Sequence, residues 1–311
     1  MKIAIAQMEV FPKQIKKNYK RMVEFVQQAK AEQVDVLVFG ELTLTGYHVK
    51  DVIFADEFIK QCQDYNQKIM ALADGIVLIW SNFSKVNDAL HVAAYVAQNQ
   101  KLSVRENGER LVYHKQILAN HRFYRDARYF EKTESLDAAM FSPFVVDINN
   151  QKLRIGVGIG QDFKDPKQSL VLIKKWHQQA VDVLVHLDSE PYNKVALRKS
   201  SFALEQLVKY PVNLFVHANI VGLQNTGNNV LIYNGGSFMC DQHITKLALS
   251  NSLFKEELTL LGHFDLHQPT LFDALTYGVY AFDYQFFNTS MKWIVGLSGG
   301  LDSSISAALL V

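Results

Sequence analysis

One order of elements occurs twice along these 311 residues, and it restricts the chain to few packings. Residues 2–8 alternate as a strand, and Ile15, Tyr19, Met22 and Val26 recur at helical spacing within residues 13–31. A compact apolar strand at 34–39 and a second helix carrying Phe58, Cys62, Tyr65, Ile69 and Leu72 follow, then strands near 76–82 and 89–97. The second half repeats this with a strand at 153–159, a helix near 166–177, a strand at 182–187, a helix at 195–209, and strands near 212–218 and 230–233. Two β-α-β-α-β-β halves, each with helices for one face of its sheet, pack most economically as two sheets face to face. The expected fold is therefore α/β, a four-layer α-β-β-α sandwich.

Apolar residues make up 49% of the chain, charged residues 20%, and the net charge is +1. That balance describes a globular protein with no electrostatic footprint for nucleic acid or an acidic membrane. The start, MKIAIAQMEV, is too short and too polar for a signal peptide or a membrane span. The two cysteines, Cys62 and Cys240, offer neither metal spacing nor a disulfide framework, so a cytoplasmic setting is expected. Cys62 falls on a helical apolar stripe and Cys240 in the late strand GGSFMC, and both read as packing residues. His114 and His121 fit no metal motif and read as surface or packing histidines, so no metal site is expected.

The strand RIGVGIGQDF, residues 154–163, stops abruptly at Gly160-Gln161-Asp162, where an α/β protein commonly mounts reactive groups. Glu41 lies just beyond the apolar strand of VLVFGELTLTGY, and Lys115 follows a short strand in VYHKQILAN. A carboxylate at a strand tip can act as a general base, and a lysine beside it can stabilise an oxyanion. Taken singly, each reads as ordinary surface charge; their weight comes from occurring with the third segment.

Past Gly262 the character changes. A helix is expected over 270–288, with Leu271, Leu275, Val279 and Phe282 on one face, then a strand at 293–297 and the loop VGLSGGLDSS at 295–304. Two glycines after a strand let backbone approach an anion, and Asp302-Ser303-Ser304 open a helix whose free amides point back at the loop. A plain capped glycine turn is the simpler alternative. The final apolar run, 305–311, has no helix stop signal and reads as a cut.

The three segments around Glu41, Lys115 and Gly160 together resemble the nitrilase, or carbon-nitrogen hydrolase, superfamily. GYHVKD, RYF at 128–130, VGLQN at 221–225, NGGS at 234–237 and SGGLDSS narrow the resemblance to the glutamine-dependent NAD synthetases. The resemblance implies a nitrilase-like glutaminase domain over 1–265 and, over 266–311, the first strand, loop and helix of a Rossmann-like ATP pyrophosphatase domain. It assigns ATP binding to Ser298, Gly299, Gly300, Asp302 and Ser303, with Mg-dependent ATP as a cofactor only in a complete synthetase domain. The implied small-molecule partners are glutamine or ammonia, deamido-NAD and ATP, and the implied assembly is a homo-oligomer.

By the same resemblance Glu41 is the base, Lys115 stabilises the tetrahedral intermediate, and Tyr47 and Ser189 bind substrate. The family's nucleophile string Cys-Glu-Asp is replaced by Gly160-Gln161-Asp162, and glycine has no atom with which to form a thioester. A supporting glutamate is shortened to Asp126 with Arg125 beside it, and Ser189-Glu190-Pro191 replaces Ala-Ser-Pro, adding a carboxylate near the substrate loop. The expected function is an inactive glutaminase domain joined to a truncated synthetase. An amidohydrolase working through Glu41 and Lys115, and a ligand-binding pseudoenzyme with a remade pocket, are the alternatives.

Overall fold

The computed structural model describes residues 1–132, 138–193, 204–243, 245–250, 254–262, 270–288 and 292–310. The first half lays down β1 (Ile3–Gln7), α1 (Ile15–Ala31), β2 (Val36–Phe39), α2 (Asp56–Ala71), β3 (Val77–Val86) and β4 (Ala89–Gln98). Short strands β5 (Lys101–Leu102), β6 (Val104–Arg105) and β7 (Tyr113–His114) and a one-turn helix α3 (Asp126–Tyr129) lead into the second half. There β8 (Phe144–Ile148), β9 (Gln151–Ile159), α4 (Ser169–Gln178), β10 (Val183–Leu187) and β11 (Leu214–Ala218) follow in order. The chain continues through β12 (Val221–Asn225), β13 (Val230–Asn234), β14 (Phe238–Asp241), β15 (Lys246–Leu249), β16 (Glu257–Leu260), α5 (Leu271–Phe287) and α6 (Leu301–Leu310).

Two sheets result. One runs β16-β1-β2-β3-β4-β5, with β7 also paired to β4; the other runs β15-β14-β11-β10-β9-β8-β6. They pack face to face, β1 against β11, β2 against β10 and β4 against β9. The outer face of the first sheet is covered by α1 and α2, whose Tyr19 and Tyr65 rings meet edge to face at 5.0 Å. On the second, α4 brings Trp176 down onto Gly156, where an added Cβ would come within 2.9 Å of the indole. Strands covered on both sides need apolar residues throughout, and β1, β2 and β10 are buried at every position. The four-layer sandwich expected from the sequence is thus the observed one.

Three expectations for individual segments need correction or bounding. The strand at 230–233 does not close the second sheet; it pairs with β12 in a separate two-stranded ribbon, and β14 takes the place beside β11. Gly235 and Gly236, both at positive φ, turn the chain between the two. The run 293–297 is not a strand. Among the described residues no strand pairs with it, and Ile294 and Leu297 face solvent, because an apolar run forms a strand only where a neighbour accepts its hydrogen bonds. Of the helix expected at 195–209, residues 204–209 are helical and 195–203 lie outside the described residues, as does the expected boundary between 265 and 266.

Candidate active site

The ends of β2 and β9 and the segment after β7 converge between the sheets. Glu41 stands two residues past the end of β2, and its amide donates to the Asp188 carbonyl at 3.0 Å, which ties the first sheet to the second. Lys115 follows β7, with its amide on the Val92 carbonyl at 2.9 Å. Its ammonium lies 2.8 Å from Glu41 Oε1 and 2.8 Å from Asp126 Oδ2. Asp126 also accepts the Ala119 amide at 2.9 Å and the Tyr47 hydroxyl. Ser189 completes the group, its hydroxyl donating to Glu41 Oε2 at 3.1 Å. Glu41, Lys115, Asp126, Tyr47 and Ser189, named from well-separated parts of the sequence, therefore form one buried cluster.

Two carboxylates share one ammonium here, and burial favours the neutral form of an acid. Burial pushes Glu41 up to about 7, with Asp126 and Asp188 adding repulsion and Lys115 opposing the shift. Burial alone would weaken the Lys115 ammonium, but Asp126 and Glu41 outweigh it and hold the lysine above its usual range. The cluster thus offers a carboxyl poised to exchange a proton near neutral pH beside a fixed cation, the equipment for general acid-base chemistry.

Gly160 sits at the focus with φ +50°, a conformation that glycine adopts without strain. A Cβ placed there would stand 2.8 Å from Glu41 Oε2 and 3.1 Å from Lys115 Nζ. A side chain at this position would require the ends of the Glu41 and Lys115 side chains to shift.

Asp162 is the positioning residue that the sequence reading left without a role. One of its oxygens accepts the Gln116 and Ile117 amides at 2.9 and 2.8 Å; the other accepts the Ile159 amide and the Tyr113 hydroxyl, each at 2.9 Å. It therefore joins the end of β9 to the segment carrying Lys115. Burial pushes its carboxyl up to about 6, and the donated hydrogen bonds and the Lys115 charge restrain the rise.

The other residues weighed from the sequence lie outside this cluster. Arg125 is exposed, although its neighbour Asp126 is buried. Glu190 does not add a free carboxylate to the pocket; it pairs with Lys164 at 2.5 Å. Cys240 is buried on β14 opposite Phe215, and Cys62 lies in the core, where burial pushes its thiol up to about 12. His114 packs as expected, its ring 4.6 Å from that of His91 and 2.9 Å from the Ser84 hydroxyl. His121 rests against Tyr124.

Ser298, Gly299, Gly300, Asp302 and Ser303 gather at the start of α6, away from this cluster. Gly299 has φ +81°, and the Ser298 and Ser303 hydroxyls lie 3.1 Å apart. Among the described residues, no helix is long and apolar enough to cross a membrane.

Comparison with known proteins agrees with this fold. The carbon-nitrogen hydrolase family matches residues 2–268. The glutamine-dependent NAD(+) synthetase of Synechocystis sp. is 28% identical over 99% of this chain, and that of Thermotoga maritima 25% identical over 99%. The chain spans 57% and 58% of those two proteins, little more than half of each. The structure of glutamine-dependent NAD+ synthetase from Acinetobacter baumannii, in complex with ADP, superposes with a TM-score of 0.81 at 23% identity, covering 99% of this chain and 56% of that one. An amidase from Nesterenkonia sp. superposes with a TM-score of 0.66 at 17% identity, covering 84% and 89%. On the family match, and with a nitrilase-like fold that places Glu41 and Lys115 around Gly160, this chain belongs to the carbon-nitrogen hydrolase family.

Proposed function

We propose that this chain is the carbon-nitrogen hydrolase portion of a glutamine-dependent NAD synthetase whose glutaminase is silent. The observation carrying the reading is the Gly160 position. Glu41 and Lys115 flank a backbone site with no side-chain atom, so an amide carbonyl has nothing to form a thioester with. The base, the cation and the Tyr47 and Ser189 contacts remain, so the domain serves as an assembly module and the synthetase takes ammonia from solution.

In this reading residues from about 266 onward open the ATP-using domain. The exposed glycine loop at 298–300, with Ser303 and the first amides of α6 around it, suits the phosphates of ATP, since nothing lies within 4 Å of a Cβ at Gly299. ATP would supply the adenylating group that activates the carboxylate of deamido-NAD for attack by ammonia.

The test is NAD formation by the full gene product with glutamine or ammonium as nitrogen donor. Ammonium alone should support the reaction; equal rates with glutamine would overturn the proposal. An amidohydrolase acting through water is the second reading, favoured by the intact Glu41–Lys115–Asp126 group. It requires ammonia release from an amide by this chain, abolished in Glu41→Gln.

A further inference from the structure

Behind the Gly160 turn lies a second polar cluster that the proposed function does not use. His186 near the end of β10 and Asp188 just past it are two residues apart in extended chain, so their side chains leave the same face. His217 of β11 sits in register beside His186. All three are buried.

The hydrogen bonds fix how the rings are used. His186 Nε2 lies 2.9 Å from the Gly160 carbonyl, which can only accept, so this nitrogen carries the proton and Nδ1 holds a lone pair. That lone pair faces His217 Nδ1 at 3.0 Å, so His217 spends its ring proton there and turns a second lone pair, on Nε2, toward Asp188 Oδ2 at 3.9 Å. The Asp188 donors are elsewhere: Lys164 Nζ at 2.7 Å and the Ser189 amide at 2.9 Å both reach Oδ1. Among the described residues no donor reaches Oδ2. Lys164 is shared with Glu190, leaving two carboxylates to one ammonium. The result is an imidazole lone pair facing a carboxylate oxygen with no proton between them and net negative charge nearby.

A cation resolves that arrangement, and we propose that His186, His217 and Asp188 form a binding site for a divalent transition metal of the zinc class. One ligand atom from each residue lies within 4.8 Å of the others, so side-chain rotation that draws them together would bring all three to bonding distance of one ion. Two imidazoles and one carboxylate are ligands that zinc accepts, whereas magnesium and calcium favour an all-oxygen shell. The outer contacts are also those of a metal site: the far nitrogen of His186 donates to a backbone carbonyl and Asp188 is oriented by Lys164. Ion binding exchanges the contact between the two imidazoles for bonds to the metal. Because His186 holds the Gly160 carbonyl, it also stiffens the turn where the nucleophile is absent. No sequence spacing announced the site, since its residues meet only through the parallel pairing of β10 and β11.

The test is titration of the chelator-treated chain with Zn²⁺, and with Co²⁺ as a spectroscopic probe. One equivalent should bind. His217→Ala and Asp188→Asn should each weaken affinity by at least about tenfold, with circular dichroism unchanged. Absorption spectroscopy at the zinc edge of the unsubstituted protein should find two imidazoles in the inner shell, a result independent of how the variants fold. Absence of binding at micromolar metal, fewer than two imidazoles, or binding undiminished in both folded variants would overturn the site.

Discussion

Burial raises both Glu41 and Asp162, but they differ in the partners that oppose it. In the folded chain Glu41 keeps its proton up to about pH 7, against an ordinary value of 4.5. Its contribution to stability is therefore present below 4.5 and is lost as the pH rises through 7. Glu41→Gln removes that dependence. Relative to the unsubstituted chain it should gain stability between about pH 5 and pH 8, by about 3 kcal/mol at most. Urea melts at both pH values check this, and parallel curves would contradict the assigned burial. Asp162 instead gathers four donors from two segments, 113–117 and the end of β9, and an amide there would turn its NH2 toward donors that now find an oxygen. Asp162→Asn should cost about 2–4 kcal/mol in the same melts and loosen the Lys115 segment, visible as faster amide exchange at Gln116 and Ile117.

Among the elements, the turn after β9 depends on what lies beneath it. The Phe163 ring folds back over Gly158, where an added Cβ would meet it at 2.4 Å, and that ring is itself packed against His186 and Phe215. Gly158→Ala should therefore lose about 1–3 kcal/mol and disturb residues 160–163. Gly296→Ala, with nothing within 4 Å, should leave the melt unchanged. The glycines of RIGVGIG read from sequence as small buried residues, but the aromatic rings pressed on them come from later in the chain and were not visible. Strands and helices with a strong period were legible, because burial on one or both faces writes itself into the residue pattern. The run 293–297 was misread for the complementary reason, since apolar content shows what a segment tends toward and pairing requires a partner that composition does not reveal. Glu41, Lys115 and Asp126 were legible as motif residues. The His186–Asp188 alternation inside an otherwise apolar strand was a signal available in VLVHLD, and its meaning emerged only with β11 beside it.

The whole molecule presents two characters. The sandwich buries most of its described aromatic residues, while α5 and the segment beyond it leave Leu271, Phe272, Tyr280, Phe286, Trp293, Ile294 and Leu301 exposed. An apolar surface of this kind favours association. At micromolar concentration the chain should sediment faster than a monomer, and the double substitution Phe272→Glu with Tyr280→Glu should return it toward the monomer. Sedimentation unaffected by the pair would place any self-contact elsewhere. The expected homo-oligomer is thereby open to direct measurement.

The crowding at Gly160 also bears on which residues this position can accept. With glycine present, the left-handed backbone is free of strain and the Glu41 carboxylate stays locked to Lys115 and Ser189. A cysteine at this position must at once adopt a left-handed backbone and displace the end of the Glu41 side chain. Gly160→Cys is therefore a change that this chain accepts only by rearranging the Glu41–Lys115 pair around it, so a thiol cannot be placed at this point without also moving the charged groups beside it.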